Sequence, residues 1–330
     1  MNKRIIAGFA FSFCVAAVQA QSFSFGLWGD MPHKKAGDEA RMPALVRSLN
    51  ASDIAFSLYN GNIKDGNSAC SNEVYAQALD RFGQIRQPLV YLPGANEWTD
   101  CHRKSNGSFD PIERLGHLRK VMFPSMRSLG QRPMELVRQG KIGAKFVENA
   151  RFQHRDVEFM TFNIPGSNNN LVRDQYDCSD KSPRSFIQCE AANAEYIERD
   201  AANIAWLREG FAKASARQAR GIVVVMQANP GFNLPETGSV DESQEPAVSA
   251  YRRFVDALVM ETEYFAGQVL LVHGDSRAFK VDKPLYNPTK LLPNLTRVQT
   301  FGSPFIHWVR VVVEPQSKSV FSIQPVMVQQ

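Results

Sequence analysis

The sequence predicts an α/β or layered α+β fold. Short apolar runs alternate with helix-period patterns along most of the chain. The run Ile222-Val223-Val224-Val225-Met226 is apolar throughout, as expected of a central strand covered on both faces. The last segments are β-rich.

In order, 23–28 reads as the first strand and 39–49 as a helix. A second strand is expected at 54–59, a helix at 73–82 and a third strand at 88–92. Asp110-Pro111-Ile112-Glu113 combines a cap, a first-turn proline and a capping-box glutamate, and starts a helix reaching about Met122. The runs 150–154 and 157–164 flank Arg155-Asp156 as a hairpin, although the turn lacks the preferred glycine. Polar 166–180 reads as a surface loop. A long helix follows at 190–215, with Ile197, Ala201, Ile204, Leu207 and Phe211 on one face. After the strand at 222–226 come a helix at 248–265 and a strand at 269–272. Strands at 298–301, 308–313 and 320–323 close the chain.

At 330 residues and 44% hydrophobic content the chain can bury a large core, and 22% charged residues argue against disorder. Lys3 and Arg4 precede an apolar stretch at 5–18, and Val18-Gln19-Ala20 offers a cleavage site. A signal peptide at 1–20, cleaved after Ala20, is expected, with periplasmic or secreted location. The stretch is short for a membrane span, and no later segment is long and apolar enough, so no stable membrane insertion is expected after cleavage. The net charge of +5 is too small and dispersed to predict nucleic-acid binding. Residues 21–330 show no repeat or long linker and read as a single domain. Cys70, Cys101, Cys178 and Cys189 remain after export, an even count that suggests two disulfides. Three pairings are open. The local pair Cys178–Cys189, leaving Cys70–Cys101, is the simplest.

Polar clusters follow the carboxyl ends of the expected strands, where α/β sheets build sites. They are Gly29-Asp30-Met31-Pro32-His33, Gly61-Asn62, Pro93-Gly94-Ala95-Asn96-Glu97-Trp98-Thr99-Asp100-Cys101, Gln227-Ala228-Asn229-Pro230 and His273-Gly274-Asp275-Ser276-Arg277. In order and spacing they resemble the motifs of the calcineurin-like metallophosphoesterases, across essentially the whole mature chain. The wording Pro-Gly-x-Asn-Glu-Trp-Thr-Asp-Cys and Val-His-Gly-Asp-Ser looks like a divergent secreted bacterial branch. The resemblance implies a four-layer αββα sandwich, with two central mixed sheets flanked by helices. It also implies phosphate mono- or diester hydrolysis by metal-activated water.

Carried over by position, Asp30 matches the first metal-binding aspartate and Pro32 stands where a histidine is usual. Asn62 matches the bridging aspartate. Asn96 matches the asparagine ligand, and Glu97 replaces the catalytic histidine. Gln227 lies near the next histidine, and Asp275 and Arg277 replace the last two. The resemblance thus implies a metal shell of Asp30, Asn62, Asn96, Gln227 and Asp275, with Glu97 as proton donor and Arg277 holding the phosphate. An asparagine at the bridging position is neutral, and its nitrogen cannot accept a metal. Such an oxygen-rich set suits one Mg, Mn or Ca ion better than two zinc ions, or no metal at all. Two functions follow: a metal-dependent phosphoesterase, or a non-catalytic relative binding a small phosphorylated or other anionic ligand, or a protein partner. Each residue also has a plainer role. Asp30 suits a cap, Asn62 a turn, and Asn96 and Glu97 loop hydrogen bonds. Trp98 suits a pocket wall or packing, while His273 more naturally packs than ligates. Lys64 stands close enough to Asn62 to help bind phosphate.

No Gly-x-Ser-x-Gly elbow, phosphate-binding Gly-x-x-x-x-Gly-Lys loop, Gly-x-Gly-x-x-Gly fingerprint, His-Glu-x-x-His helix or EF-hand loop occurs, which argues against the chemistries they carry.

Overall fold

The computed structural model describes residues 21–179, 181–232, 242–275, 277–287 and 289–329. The expected leader at 1–20 and Ser276 lie outside the described residues.

The first sheet holds β1 (Phe23–Trp28), β2 (Ser57–Asn60), β3 (Leu89–Leu92), β13 (Trp308–Val313) and β14 (Phe321–Val326) in the order β14-β13-β1-β2-β3. β1, β2 and β3 run parallel, and the β13–β14 hairpin adds antiparallel to β1. Pro325 sits in β14 because that strand is an edge, where a missing N–H costs no ladder bond.

The second sheet holds β4 (Val137–Arg138), β5 (Ala150–His154), β6 (Val157–Thr161), β7 (Gly221–Val225), β8 (Gln268–His273), β9 (Lys280–Asp282) and β12 (Leu295–Gln299). Its order is β4-β5-β6-β7-β8-β12-β9, with β6, β7, β8 and β12 parallel. A separate ribbon pairs β10 (Leu285–Asn287) with β11 (Lys290–Leu291). Both large sheets are mixed, as expected.

Side-chain alternation sets the layers. Val223, Val225, Leu270 and Val272 face the first sheet, while Ile222, Val224, Leu271 and Met226 face away. Phe25, Phe56 and Phe159 meet between the sheets with ring centroids 5.0–5.6 Å apart. Helices α1 (Met42–Ala51), α2 (Asn72–Phe82) and α3 (Pro111–Met122) share that core through Leu45, Phe82 and Leu118. The outer face of the second sheet packs on α6 (Phe186–Ala216) and α7 (Arg252–Tyr264) through Leu207, Phe211, Phe254 and Leu258. The result is helix, sheet, sheet, helix.

The elements differ from expectation mainly between strands. The expected loop at 166–180 contains two short elements, α4 (Gly166–Asn169) and α5 (Gln175–Ser179). Ser167, Asn168, Asn169 and Asn170 all have positive φ, a run disfavoured by Cβ contacts but most accessible to asparagine. α6 starts at Phe186, earlier than expected, because Ser185 and Gln188 close a capping box. The final parallel strand is β12 at Leu295–Gln299, upstream of the expected 298–301. The disulfides pair Cys70 with Cys101 and Cys178 with Cys189. Among the described residues no helix is long and apolar enough to cross a membrane.

Candidate functional site

The loops after β1, β2, β3, β6, β7, β8 and β12 meet at one edge. Backbone bonds fasten them: Asp30 N–H to Gly61 O at 2.8 Å, Gly274 N–H to Gln227 O at 3.0 Å, and Ser303 N–H to Asp30 O at 2.9 Å. Asp30, Asn62 and Asp275 have φ of 54°, 60° and 58°. Left-handed backbone at three such positions is uncommon and tends to mark functional sites.

Side-chain amides complete the junction. Asn96 N–H donates to Asn62 Oδ1 at 3.1 Å. A backbone N–H can only donate, so this bond assigns the Asn62 oxygen, and Nδ2 must face the other way. There it donates to Asp30 Oδ1 at 2.9 Å. Gln227 Oε1 accepts Ala95 N–H at 3.1 Å and Gly166 N–H at 2.6 Å, tying the loops after β3, β6 and β7 together. Asn96 Nδ2 donates to Lys64 O at 2.9 Å. A Cβ on Gly94 would stand 2.4 Å from Asn62 Oδ1, so this approach requires glycine. The Cys70–Cys101 bridge lies beneath, its sulfurs 3.5 and 3.8 Å from the Asn96 carbonyl oxygen.

The charged groups sit around this junction. A cleft of about 490 Å³ is lined by Asp100, Arg103, Ser167, Arg184, Asn229 and Asp275, among others. Arg103 pairs with buried Asp100 at 2.8 Å, and Ser167 donates to the same carboxylate at 2.6 Å. Burial pushes the Asp100 pKa up, opposed by Arg103. Asp275 lies against Gly166, where an added Cβ would stand 2.6 Å from its Oδ2. Desolvation, then the Asp30 charge, pushes Asp275 up to about 7. The side chain is nevertheless open to solvent, so the repulsion from Asp30 is the firmer of the two causes. His33 Nε2 stands 3.4 Å from Asp30 Oδ1.

Buried Arg199 on α6 braces the cleft wall from behind. It donates to Asn163 O at 2.8 Å and Asn169 O at 2.9 Å, and lies over the Trp98 ring at 5.1 Å. Trp98 is fully buried and packs under its loop; it is not among the residues lining the cleft.

Glu97 is 1% exposed. Its Oε1 accepts Ile63 N–H at 3.0 Å and the Tyr91 hydroxyl at 3.3 Å. Desolvation drives its pKa to about 7. Burial lowers Lys64 to about 8, opposed by Glu97, Asp100 and Asp65. His273 is buried and pushed down to about 3 by desolvation, which makes it a neutral packing residue.

No protein-family model matches this sequence, and no curated protein sequence does. Solved structures do. PhoD is 11% identical, with a TM-score of 0.57 over 93% of this chain and 69% of that one. The fold is that of the calcineurin-like metallophosphoesterases. Looser matches include purple acid phosphatase PPD1 from yellow lupin seeds (12% identity, 94% and 54% coverage, TM-score 0.47). The 5'-nucleotidase of Candida albicans is another (10%, 95% and 53%, 0.46). This chain spans about half the length of those two proteins.

A two-metal centre needs lone pairs converging on each ion and carboxylate charge to offset four positive charges. Here an amide N–H is aimed at Asp30, the Asn62 oxygen is bonded to a backbone N–H, and Gln227 Oε1 accepts two. Among the described residues no three His, Cys, Asp or Glu side chains gather as a possible metal site. The donor set does not fit two metals.

The structure therefore brings Asp30, Asn62, Asn96, Gln227 and Asp275 to one junction. Glu97 instead turns its carboxylate onto Ile63 and Tyr91 in the interior. Arg277 is exposed and is not among the described residues lining the cleft. Arg103 and Arg184 line it instead. Sequence reading missed them because both lie outside the motifs: Arg103 stands two residues past Cys101, and Arg184 sits just ahead of α6, where no local pattern ties it to the strand ends.

Proposed function

We propose that this protein is exported and uses a single-domain phosphoesterase fold to bind a small phosphorylated or otherwise anionic ligand without two-metal hydrolysis. The observation that carries this reading is Arg103. It is held by Asp100 and Ser167 at the wall of the strand-end cleft, beside Arg184. A guanidinium held by its neighbours has less freedom to lose when it takes a phosphate oxygen. The two disulfides support export into an oxidising compartment. Calorimetric titration of the mature chain with inorganic phosphate and simple phosphomonoesters tests the reading. Saturable binding is expected, weakened about tenfold or more in Arg103→Ala. Equal affinity in the variant, or no binding at millimolar ligand, overturns it.

The second reading is hydrolysis of a phosphate mono- or diester with one hard cation, Mg, Mn or Ca. The neighbouring Asp30 and Asp275 carboxylates favour it. Turnover of p-nitrophenyl phosphate or its bis-ester with added metal, lost in Asp30→Ala and Asp275→Ala, would establish this reading over the first.

A further inference from the structure

We propose that the side-chain amides of Asn62 and Gln227 replace a two-metal centre as the cross-link of the site, so that the junction assembles without any divalent ion. This concerns how the cleft is held together, and it stands whether or not the cleft binds an anion.

In a two-metal site the ions are ligated from several strand-end loops and bind those loops to one another. Five of the loops are joined here by hydrogen bonds to two residues. Asn62 links its own loop to Asp30 of the loop after β1 and to Asn96 of the loop after β3. Gln227 links the loop after β7 to Ala95 of the loop after β3 and to Gly166 of the loop after β6. Each amide bridges two partners, as a metal would.

The polarity of these bonds matters more than their number. At Asn62 the oxygen is committed to a backbone donor, so the group presented to Asp30 is an N–H. That N–H partly neutralises the Asp30 carboxylate, which a bridging aspartate could do only by sharing a cation. At Gln227 both oxygen lone pairs meet N–H groups, leaving none for a metal. Its buried Nε2 has no acceptor within hydrogen-bond geometry. The Asn62 position therefore suits an N–H donor facing Asp30, where a metal centre would place a cation.

Geometry also closes the space. Gly94 and Gly61 approach Asn62 and Gln227 so closely that an added Cβ would stand 2.4 Å from Asn62 Oδ1 or 2.7 Å from Gln227 Cγ. The junction is packed side chain against backbone at the point where the amides cross.

Metal analysis of the purified mature chain, with thermal unfolding before and after chelation, tests this. Less than about 0.1 equivalent of divalent metal is expected, and a melting temperature that chelator or added Mg, Mn, Ca or Zn moves by no more than about 1 °C. Stoichiometric metal that survives purification, with a melting temperature that falls on chelation, overturns the proposal. That comparison needs no variant to fold. Asn62→Asp supplies the second arm. It replaces the N–H facing Asp30 with a carboxylate, so a melting temperature several degrees lower is expected in chelator, recovered at least in part by Mn or Mg. An Asn62→Asp protein as stable as the parent in chelator also overturns it. Failure of phosphate to bind would end the ligand reading above and leave these outcomes unchanged.

Discussion

The amide half and the carboxylate half of the junction do different work. Asn62, Asn96 and Gln227 are 3%, 8% and 0% exposed, and their polar atoms reach into neighbouring loops. Asp275, by contrast, opens to the cleft, and Asp100 holds Arg103 at its wall. In a two-metal phosphoesterase the ligands serve both purposes, since the ions they hold also meet the substrate. Here neutral groups hold the loops together, while charged groups such as Asp100, Arg103, Arg184 and Asp275 stand at the cleft. A neutral cross-link needs no cation to offset it, which leaves carboxylates and guanidiniums free to line the cleft.

The largest expected effect comes from breaking the amide half. Gln227→Leu keeps the volume but leaves the Ala95 and Gly166 N–H groups without their acceptor in a buried setting. Each buried orphan costs about 1–3 kcal/mol, so a loss of roughly 2–5 kcal/mol is expected in urea unfolding. A loss below about 1 kcal/mol would show that the loops hold without the amide.

A smaller, pH-dependent effect is expected at Glu97, which lies under the amide half. Its pKa is raised to about 7 by desolvation, with Lys64 opposing and Tyr91 and Tyr75 close by. Between its ordinary value of 4.5 and about 7 the folded chain binds more protons here than the unfolded chain does. Stability from this group is therefore lost as pH rises through that window. Glu97→Gln mimics the protonated form. It should leave stability near its parent value at pH 5 and raise it by roughly 1–2 kcal/mol at pH 8. A variant less stable at pH 8 than the parent would show that the ionised carboxylate, bonded to Ile63 N–H, is the form the fold prefers.

The fold was legible because it depends on period and order. Short apolar runs identified most of β1 to β3 and β6 to β8, and the polar clusters after them identified the edge where the site lies. Element boundaries were less legible where a cap decides them, as at Ser185, and β12 begins three residues upstream of the expected span. The site's residues were found by position in the motifs, but their bonding was not. Asn62 reads equally as a ligand or a turn former, and only the Asn96 N–H on its oxygen decides which atom faces Asp30. Glu97 stands where the resemblance expects a catalytic histidine, yet its carboxylate lies in the core, accepting from Ile63 N–H and the Tyr91 hydroxyl. Arg103 and Ser167 escaped because their meeting at Asp100 joins segments 64 residues apart through the left-handed turn at 167–170. No local pattern announces such a turn beyond its run of asparagines.

The smallest expected effect is the sharpest test of which residues form the charged half. The resemblance expects a histidine where Arg277 stands, but its side chain is exposed and outside the cleft lining, whereas Arg103 is braced at the wall. An exposed guanidinium contributes little to a ligand it does not touch, and salt screens what remains. Arg277→Ala should therefore change phosphate affinity by less than about twofold at physiological ionic strength, measured beside Arg103→Ala in the same buffer. If instead Arg277→Ala weakens binding as much as Arg103→Ala, the anion sits nearer the loop after β8 than the cleft wall. The motif position would then outrank the cavity as the guide to the ligand.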